Sequence, residues 1–442
     1  MTIRMDEGAA ELLDTLHRAG YAAYVVGGCV RDSLLGLTPH DWDLCTSALP
    51  QQGMELFGEE KCIPTGLQHG TVTVKQGGGL YEITTFRTEG AYTDGRHPDE
   101  VHFVPDVRED LARRDFTINA MAYNAKEGLV DPFGGQADLQ SGVLRAVGVP
   151  HQRFTEDALR ILRLYRFAAR FGFAIDPPTA QAAQELCAHL DCVSVERIEE
   201  ELAKLLSAPA PAAYLDEKIL GVVLPELSPE ALAAAKPVVD ACPAGEQALP
   251  VRLAALLLSL GEDGTRRTLR RLRCSNACIE ETAVLVREAV PGVPGAFSSD
   301  TNRAIPSPAL LPAATGSHPS GRSSEKLPAR PPVSLNIYTR KLLGQYGLKT
   351  VQRLAALGTA LQPEHAADFA ALSELAEQLD ADGVCCRVSQ LAVNGRDLVA
   401  AGVPSGPGIR KVLEALLDGV IREEYPNERQ ALLTAVQQLA AS

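Results

Sequence analysis

The sequence predicts an α+β head containing a small mixed or antiparallel sheet, followed by an all-helical neck, body and tail. Three observations carry this. Residues 1–138 alternate strand-like and helix-like segments separated by glycine turns. From residue 139 onward Ala, Leu, Glu and Arg recur at helical spacing. One stretch, 291–334, is dense in Pro, Ser, Gly and Ala; too poor in large side chains to bury itself, it is expected to be a flexible insert. The expected organisation is therefore a head at 1–138, a neck at 139–205, a body at 206–290, the insert, and a tail at 335–442. A chain of 442 residues is long enough for such a series of cores.

Taken in order, Met1 to Gly20 mixes charged and apolar residues as an amphipathic helix does, unlike a signal peptide. Tyr24-Val25-Val26 reads as a short buried strand running into Gly27-Gly28, and Cys29 to Gly36 as a helix start. Asp41 to Cys45 reads as a second strand. Thr71 to Lys75 and Leu80 to Phe86 form a hairpin around Gly77-Gly78-Gly79. We expect five strands in all. Glu156 to Arg170 predicts one continuous helix, and Ser194 to Leu202 a helix capped by Ser194. A Gly-Pro-Gly turn at 406–408 opens a helix at Ile409.

Composition narrows the function. Hydrophobic residues make up 45% of the chain, and no apolar run approaches the roughly 20 residues that span a bilayer; a cytoplasmic protein without a membrane partner is expected. Ten scattered cysteines show no zinc-ligand spacing and read as reduced, mostly buried thiols. Fifty-six acidic against 42 basic residues give a net charge of −14, which argues against bulk attraction to nucleic acid. Any RNA contact must come from local arginine clusters.

Four groups of residues carry chemistry. In the first, Asp41 and Asp43 stand two apart on an expected strand, so both carboxylates project from one face and can hold one or two divalent cations. The upstream pair Gly27-Gly28 lets backbone N–H groups approach a phosphate at a helix start, and Arg31 adds a planar fork for phosphate oxygens. In the second, Glu82 can complete the cation site or take a proton from an attacking hydroxyl; the plainer alternative is a solvated strand residue. The third, Arg113-Arg114-Asp115 with Asn119, suits a triphosphate and a ribose, although such a triplet is also a common helix end. In the fourth, Arg160, Arg163, Arg166 and Arg170 fall within about a third of a helix circumference, opposite Ile161, Leu164, Tyr165, Ala168 and Phe171. One face packs and the other presents guanidiniums, either to a ligand or simply to solvent.

The stretch GGCVRDSLLGLTPHDWDLCT resembles the signature of polymerase β-like nucleotidyltransferases, in the class II branch of CCA-adding enzymes and bacterial poly(A) polymerases. The resemblance covers most of the chain outside the insert. It implies two-metal nucleotidyl transfer with Mg2+ on Asp41 and Asp43, and addition of CCA to the tRNA 3′ end from CTP and ATP. Under it, Arg114 would contact nucleotide, Asp115 and Asn119 the sugar, and Asp157 with Arg160 the base. Arg163 and Arg166 would be further nucleotide contacts, and Gly28 with Arg31 would lie at the phosphates. TTFRTEGAYTDGRHP resembles the loop that switches C to A addition, and Asp131-Pro132-Phe133-Gly134-Gly135 the hinge segment. Arg266, Arg267, Arg270, Arg271 and Arg273 form the densest basic cluster, a candidate contact for tRNA phosphates, and the tail resembles the part that meets the tRNA elbow. The alternatives are a CC-adding enzyme, an A-adding enzyme or a poly(A) polymerase, and, in another class, a non-catalytic RNA-binding protein. No HD-type metal pattern is present, so phosphohydrolase activity is not expected.

Overall fold

A computed structural model describes residues 3–90, 100–289 and 335–441. The expected insert and residues 91–99 of the stretch that resembles the C-to-A loop lie outside these residues. The chain divides into two compact units, one formed mainly by residues up to Lys236, the other mainly by residues from Gln247 onward.

The first unit begins with α1 (Glu7–Arg18), whose start is capped by Asp6 accepting from the backbone N–H of Gly8 and Ala9. Leu12, Leu13 and Leu16 form its buried face. There follow β1 (Ala23–Val26), α2 (Gly28–Leu34), β2 (Leu44–Thr46), α3 (Pro50–Phe57), β3 (Cys62–Gly66), β4 (Thr71–Gln76) and β5 (Gly79–Thr85). Next come β6 (Arg87–Glu89), β7 (Val101–Phe103), α4 (Val107–Ala112), β8 (Ala122–Asn124) and β9 (Gly128–Val130). The predicted β4–β5 hairpin forms as expected.

The main sheet has seven strands, in the order β3-β4-β5-β2-β1-β8-β9, rather than the five expected. Strands as short as β8 and β9 carry too little alternation to register in sequence; what closes that hairpin is the Asn124 carboxamide, which accepts from the N–H of Lys126 and Glu127. The sheet is mixed: β2 and β5 run parallel, and the other neighbours are antiparallel. β1 is central and buried along its whole length, which is why Ala-Tyr-Val-Val is apolar without alternation. Its core joins Tyr24, Val26, Cys45, Phe86, Leu111 and Ala122.

Helices then follow: α5 (Gly135–Ser141), α6 (Pro150–Glu156), α7 (Leu159–Phe171), α8 (Pro177–Leu186) and α9 (Val195–Leu206). Ser194 does stand at the N-cap of α9, but its hydroxyl makes no capping bond. Asp131 closes the expected hinge turn by accepting from the N–H of Gly135 and Gln136.

The second unit is helical. Its C-terminal part packs Leu398, Leu416, Val420, Leu432 and Val436 into one core, and the helix after the Gly-Pro-Gly turn spans Gly408–Ile421. All ten cysteines are free, most of them buried. Among the described residues no helix is long and apolar enough to cross a membrane.

Candidate active site

The site forms where β1 ends. The chain leaves β1 at Gly27, whose φ of 77° lies in the region that favours glycine, and enters α2 at Gly28. Asp41 and Asp43 lie in the segment leading into β2. They are not on the strand itself, which begins only at Leu44, and this corrects the expected Asp41–Cys45 strand. The segment is nevertheless pinned, because the Asp43 carbonyl accepts from the N–H of Val26 at 2.9 Å.

The parallel register brings in the third carboxylate. Leu44 pairs with Ile83, so one residue earlier Asp43 comes level with Glu82, and both point to the same side of the sheet. Asp41, Asp43 and Glu82 are all exposed. Although solvent reaches Asp43, the protein around it still desolvates the carboxylate and raises its pKa; Arg114 opposes this, and Glu82 and Asp41 add to it. A divalent cation would relieve that repulsion between carboxylates. Among the described residues no three His, Cys, Asp or Glu side chains are grouped closely enough to hold a metal alone. The carboxylates of Asp41 and Asp43 suit a hard cation that takes one or two of them and completes its shell with phosphate oxygens and water.

Arg114 faces the glycine turn. A Cβ placed on Gly27 would come within 2.8 Å of its guanidinium, and Asp110 holds the other side at 3.5 Å. Arg31 is placed differently from the expectation of an open phosphate fork. It is only 4% exposed, donates to Asp32 at 2.7 Å and Asn119 at 2.6 Å, and stacks on Phe171. α2 turns it beneath the surface, against α7.

Asp115 and Asn119 also lie in this buried network. Asp115 accepts from Arg163 through Nε and Nη2, at 3.0 and 2.7 Å, and from the Asn119 amide at 3.0 Å. Burial alone would raise its carboxyl; Arg163, Asn119 and Arg160 outweigh that and bring it down to about 2.

The expected continuous helix from Glu156 is broken at Asp157, whose extended backbone (φ −142°, ψ 103°) ends α6 before α7 begins at Leu159. The physical reason is a cap: Asp157 Oδ1 accepts from the N–H of Leu159, and Oδ2 accepts from Arg197 at 2.8 Å. Arg160 donates to Glu156 at 2.8 Å and to the Arg113 carbonyl at 3.1 Å. The guanidinium row is not an open face either. Arg160 and Arg166 are buried, Arg163 pairs with Asp115 and Glu201, Arg166 with Glu201 at 2.5 Å, and Arg170 with Asp32 at 3.3 Å. Asp32, Asp110, Glu156, Arg197 and Glu201 are the residues that sequence reasoning missed. Asp32 and Glu156, adjacent to singled-out residues, and Arg197 and Glu201, within the helix expected at Ser194 to Leu202, left a signal; Asp110 left none.

Of the basic cluster, Arg266 pairs with Glu262 and Glu280, Arg271 with Glu226 and Arg273 with Glu196. Arg267 and Arg270 are exposed and make no ion pair among the described residues.

Comparison with known proteins bears on this arrangement. Residues 23–145 match the Poly A polymerase head domain, 172–230 the probable RNA and SrmB-binding site of polymerase A, and 336–436 the tRNA nucleotidyltransferase domain 2. The chain is 34% identical to the CCA-adding enzyme of Lactiplantibacillus plantarum, over 99% of this chain and 97% of that one. The chain belongs to the CCA-adding enzyme family. The CCA-adding enzyme of Limosilactobacillus fermentum is 36% identical over 98% of this chain and 97% of its own. Among solved structures, the Bacillus stearothermophilus CCA-adding enzyme in complex with CTP superposes with a TM-score of 0.77 at 30% identity, covering 99% and 98% of the two chains. Members of this family are nucleotidyltransferases that use divalent metals. The α+β head and helical remainder are those of the family.

Proposed function

We propose that this protein adds CCA to the 3′ ends of tRNA from CTP and ATP, releasing pyrophosphate, with Asp41, Asp43 and Glu82 forming the acidic centre and Mg2+ as the metal. The observation that carries the residue assignment is the parallel register that brings Asp43 level with Glu82, beside the glycine turn that Arg114 faces. A cation held by Asp41 and Asp43 supplies charge neutralisation at the phosphates and a lowered pKa for the attacking hydroxyl. The tRNA 3′-oxygen then bonds to the α-phosphorus as the bond to the pyrophosphate oxygen breaks. In this reading Glu82 completes the cation site or accepts the hydroxyl proton, while Arg114 and the Gly27-Gly28 backbone orient the triphosphate. A cytoplasmic location accords with this reading, as does division of the helical remainder into neck, body and tail.

Base choice falls to Asp157 and Arg160. Arg160 donates to cytosine O2 and N3 or to adenine N1, and Asp157 accepts from the exocyclic amino group that both bases carry. Guanine and uracil present a carbonyl oxygen at that place, and the unpaired acceptors cost about 1–3 kcal/mol. In this reading Asp115 and Asn119 reach the sugar from the buried network, and Arg163 and Arg166 support the nucleotide from α7. Arg31 acts on the phosphates only indirectly, through that network.

The test offers tRNAs ending before CCA, after C and after CC, with labelled CTP or ATP and magnesium. Extension of all three to a single CCA end is expected. One nucleotide type alone would mark a CC- or A-adding enzyme, long A tails a poly(A) polymerase, and no incorporation a non-catalytic RNA binder. Asp41→Ala should abolish incorporation while tRNA affinity stays within about threefold; normal turnover would place the cation site elsewhere.

A further inference from the structure

Asp110, on α4, lies outside the motifs that name the site, and its side chain is 1% exposed. Its Oδ1 accepts from Arg113 Nε at 3.0 Å and from the backbone N–H of Arg87 at 3.4 Å; its Oδ2 accepts from Arg114 Nη2 at 3.5 Å. Burial pushes this carboxyl up, but the two guanidiniums and the N–H outweigh it, so its pKa is lowered and it stays ionised.

Each of its three partners leads to the reacting end of the head. Arg87 lies two residues past β5, the strand bearing Glu82, and the intervening Phe86 N–H donates to Thr46 of β2 at 2.8 Å. Arg113 offers its carbonyl to Arg160 at 3.1 Å. Arg114 stands over Gly27 and is the charge that most lowers the Asp43 carboxyl. The Arg114 Nε is buried without a hydrogen-bond partner, so within the described residues the guanidinium is oriented through Asp110.

We propose that Asp110 is a positioning residue for the triphosphate, fixing the Arg114 guanidinium over the Gly27-Gly28 turn. The proposal rests on the reading of Arg114 as a triphosphate contact. A long arginine side chain left to itself samples many rotamers; a buried carboxylate that receives two adjacent arginines removes that freedom before the nucleotide arrives and screens one guanidinium from the other. It acts on binding of both nucleotides alike, since it touches no group that reads the base.

Steady-state kinetics of Asp110→Asn, Arg114→Ala and the double variant test this. Asp110→Asn keeps shape but loses the charge. It should raise KM for CTP and ATP each by about tenfold while changing kcat and the KM for tRNA by less than about twofold, with choice of C and A over U and G unchanged. If Asp110 acts through Arg114, the double variant should be no worse than Arg114→Ala alone. Unchanged nucleotide KM in Asp110→Asn, or fully additive losses in the double variant, overturns the proposal. Unchanged nucleotide KM in Arg114→Ala removes the underlying reading instead, and the proposal with it. Should Asp110→Asn prove poorly folded, the rise in Tm produced by CTP decides: a carboxylate serving stability alone lowers the Tm of the free protein but leaves that rise intact, whereas a positioning residue shrinks it.

Discussion

Asp115→Asn isolates the most strongly perturbed carboxylate of the head, and its effect on stability follows from the geometry. Asp115 is 8% exposed and bonded to Arg163 and Asn119. Its pKa falls from 3.8 to about 2 on folding; at about 1.4 kcal/mol per unit, ionised Asp115 contributes about 2.5 kcal/mol at neutral pH. Because the folded value is depressed, this contribution is fully present above the unfolded value of 3.8 and is lost as pH falls through about 2. At pH 3 about half of it should remain, about 1.3 kcal/mol. Asn stands in for the protonated carboxyl, so the stability gap between wild type and variant should close on the same schedule. The chain's single tryptophan, Trp42, lies half-buried between Asp41 and Asp43, and its fluorescence follows unfolding of the head in urea. Comparing wild type and variant at pH 7, 4 and 3 cancels every other carboxylate. A gap that stays constant across that range would refute the reasoning, since it would show that the charge of Asp115 is not what Arg163 and Asn119 hold.

Two further predictions concern the substrate. Asp157→Ala and Arg160→Ala should each relax nucleotide choice, admitting UTP or GTP at the expense of CTP and ATP by about tenfold or more in kcat/KM; selection that survives both in competition assays removes them from base reading. Arg267→Ala with Arg270→Ala should lower tRNA affinity and flatten its dependence on salt, by roughly 0.7–0.9 in slope for each phosphate that is no longer neutralised. Arg266→Ala, already paired with Glu262 and Glu280, should do less, and equal effects from all three in a salt titration would refute the distinction.

What was legible in the sequence was what lies close together along it. The Gly27-Gly28 turn could be read directly, because a turn is a local property; Asp41 and Asp43 could be singled out, but not their backbone, since β2 begins only at Leu44. The place of Glu82 could only be suspected, since it depends on the parallel register that sets Leu44 against Ile83. The break at Asp157 was hidden by a string whose residues otherwise suit a helix; the available sign was an aspartate two residues before Leu159, the N–H of which it accepts. The ion pairs of the α7 arginines were not legible for the opposite reason. Periodicity identifies a polar face but not what covers it, and Asp32, Asp115 and Glu201 arrive from as far as 138 residues away.

Those same ion pairs explain how so acidic a chain can be arranged for polyphosphate and RNA. A row of guanidiniums on a free helix would repel itself and attract any anion. Here Glu156, Asp115, Glu201 and Asp32 take up the charge of Arg160, Arg163, Arg166 and Arg170. The buried pairs, those of Arg160 and Arg166, add little net stability over well-packed apolar residues, because desolvation offsets most of the attraction; the more exposed pair of Arg170 adds little because solvent screens it. Their value must then lie in geometry. Each carboxylate restricts one guanidinium to one direction, and the chain from Arg31 through Asn119, Asp115 and Arg163 to Glu201 makes the orientation of α7 depend on the head. Replacing that chain with leucines could leave the fold standing, but the edge formed by Asp157 and Arg160 would lose the fixed placement that the proposed reading of a base requires.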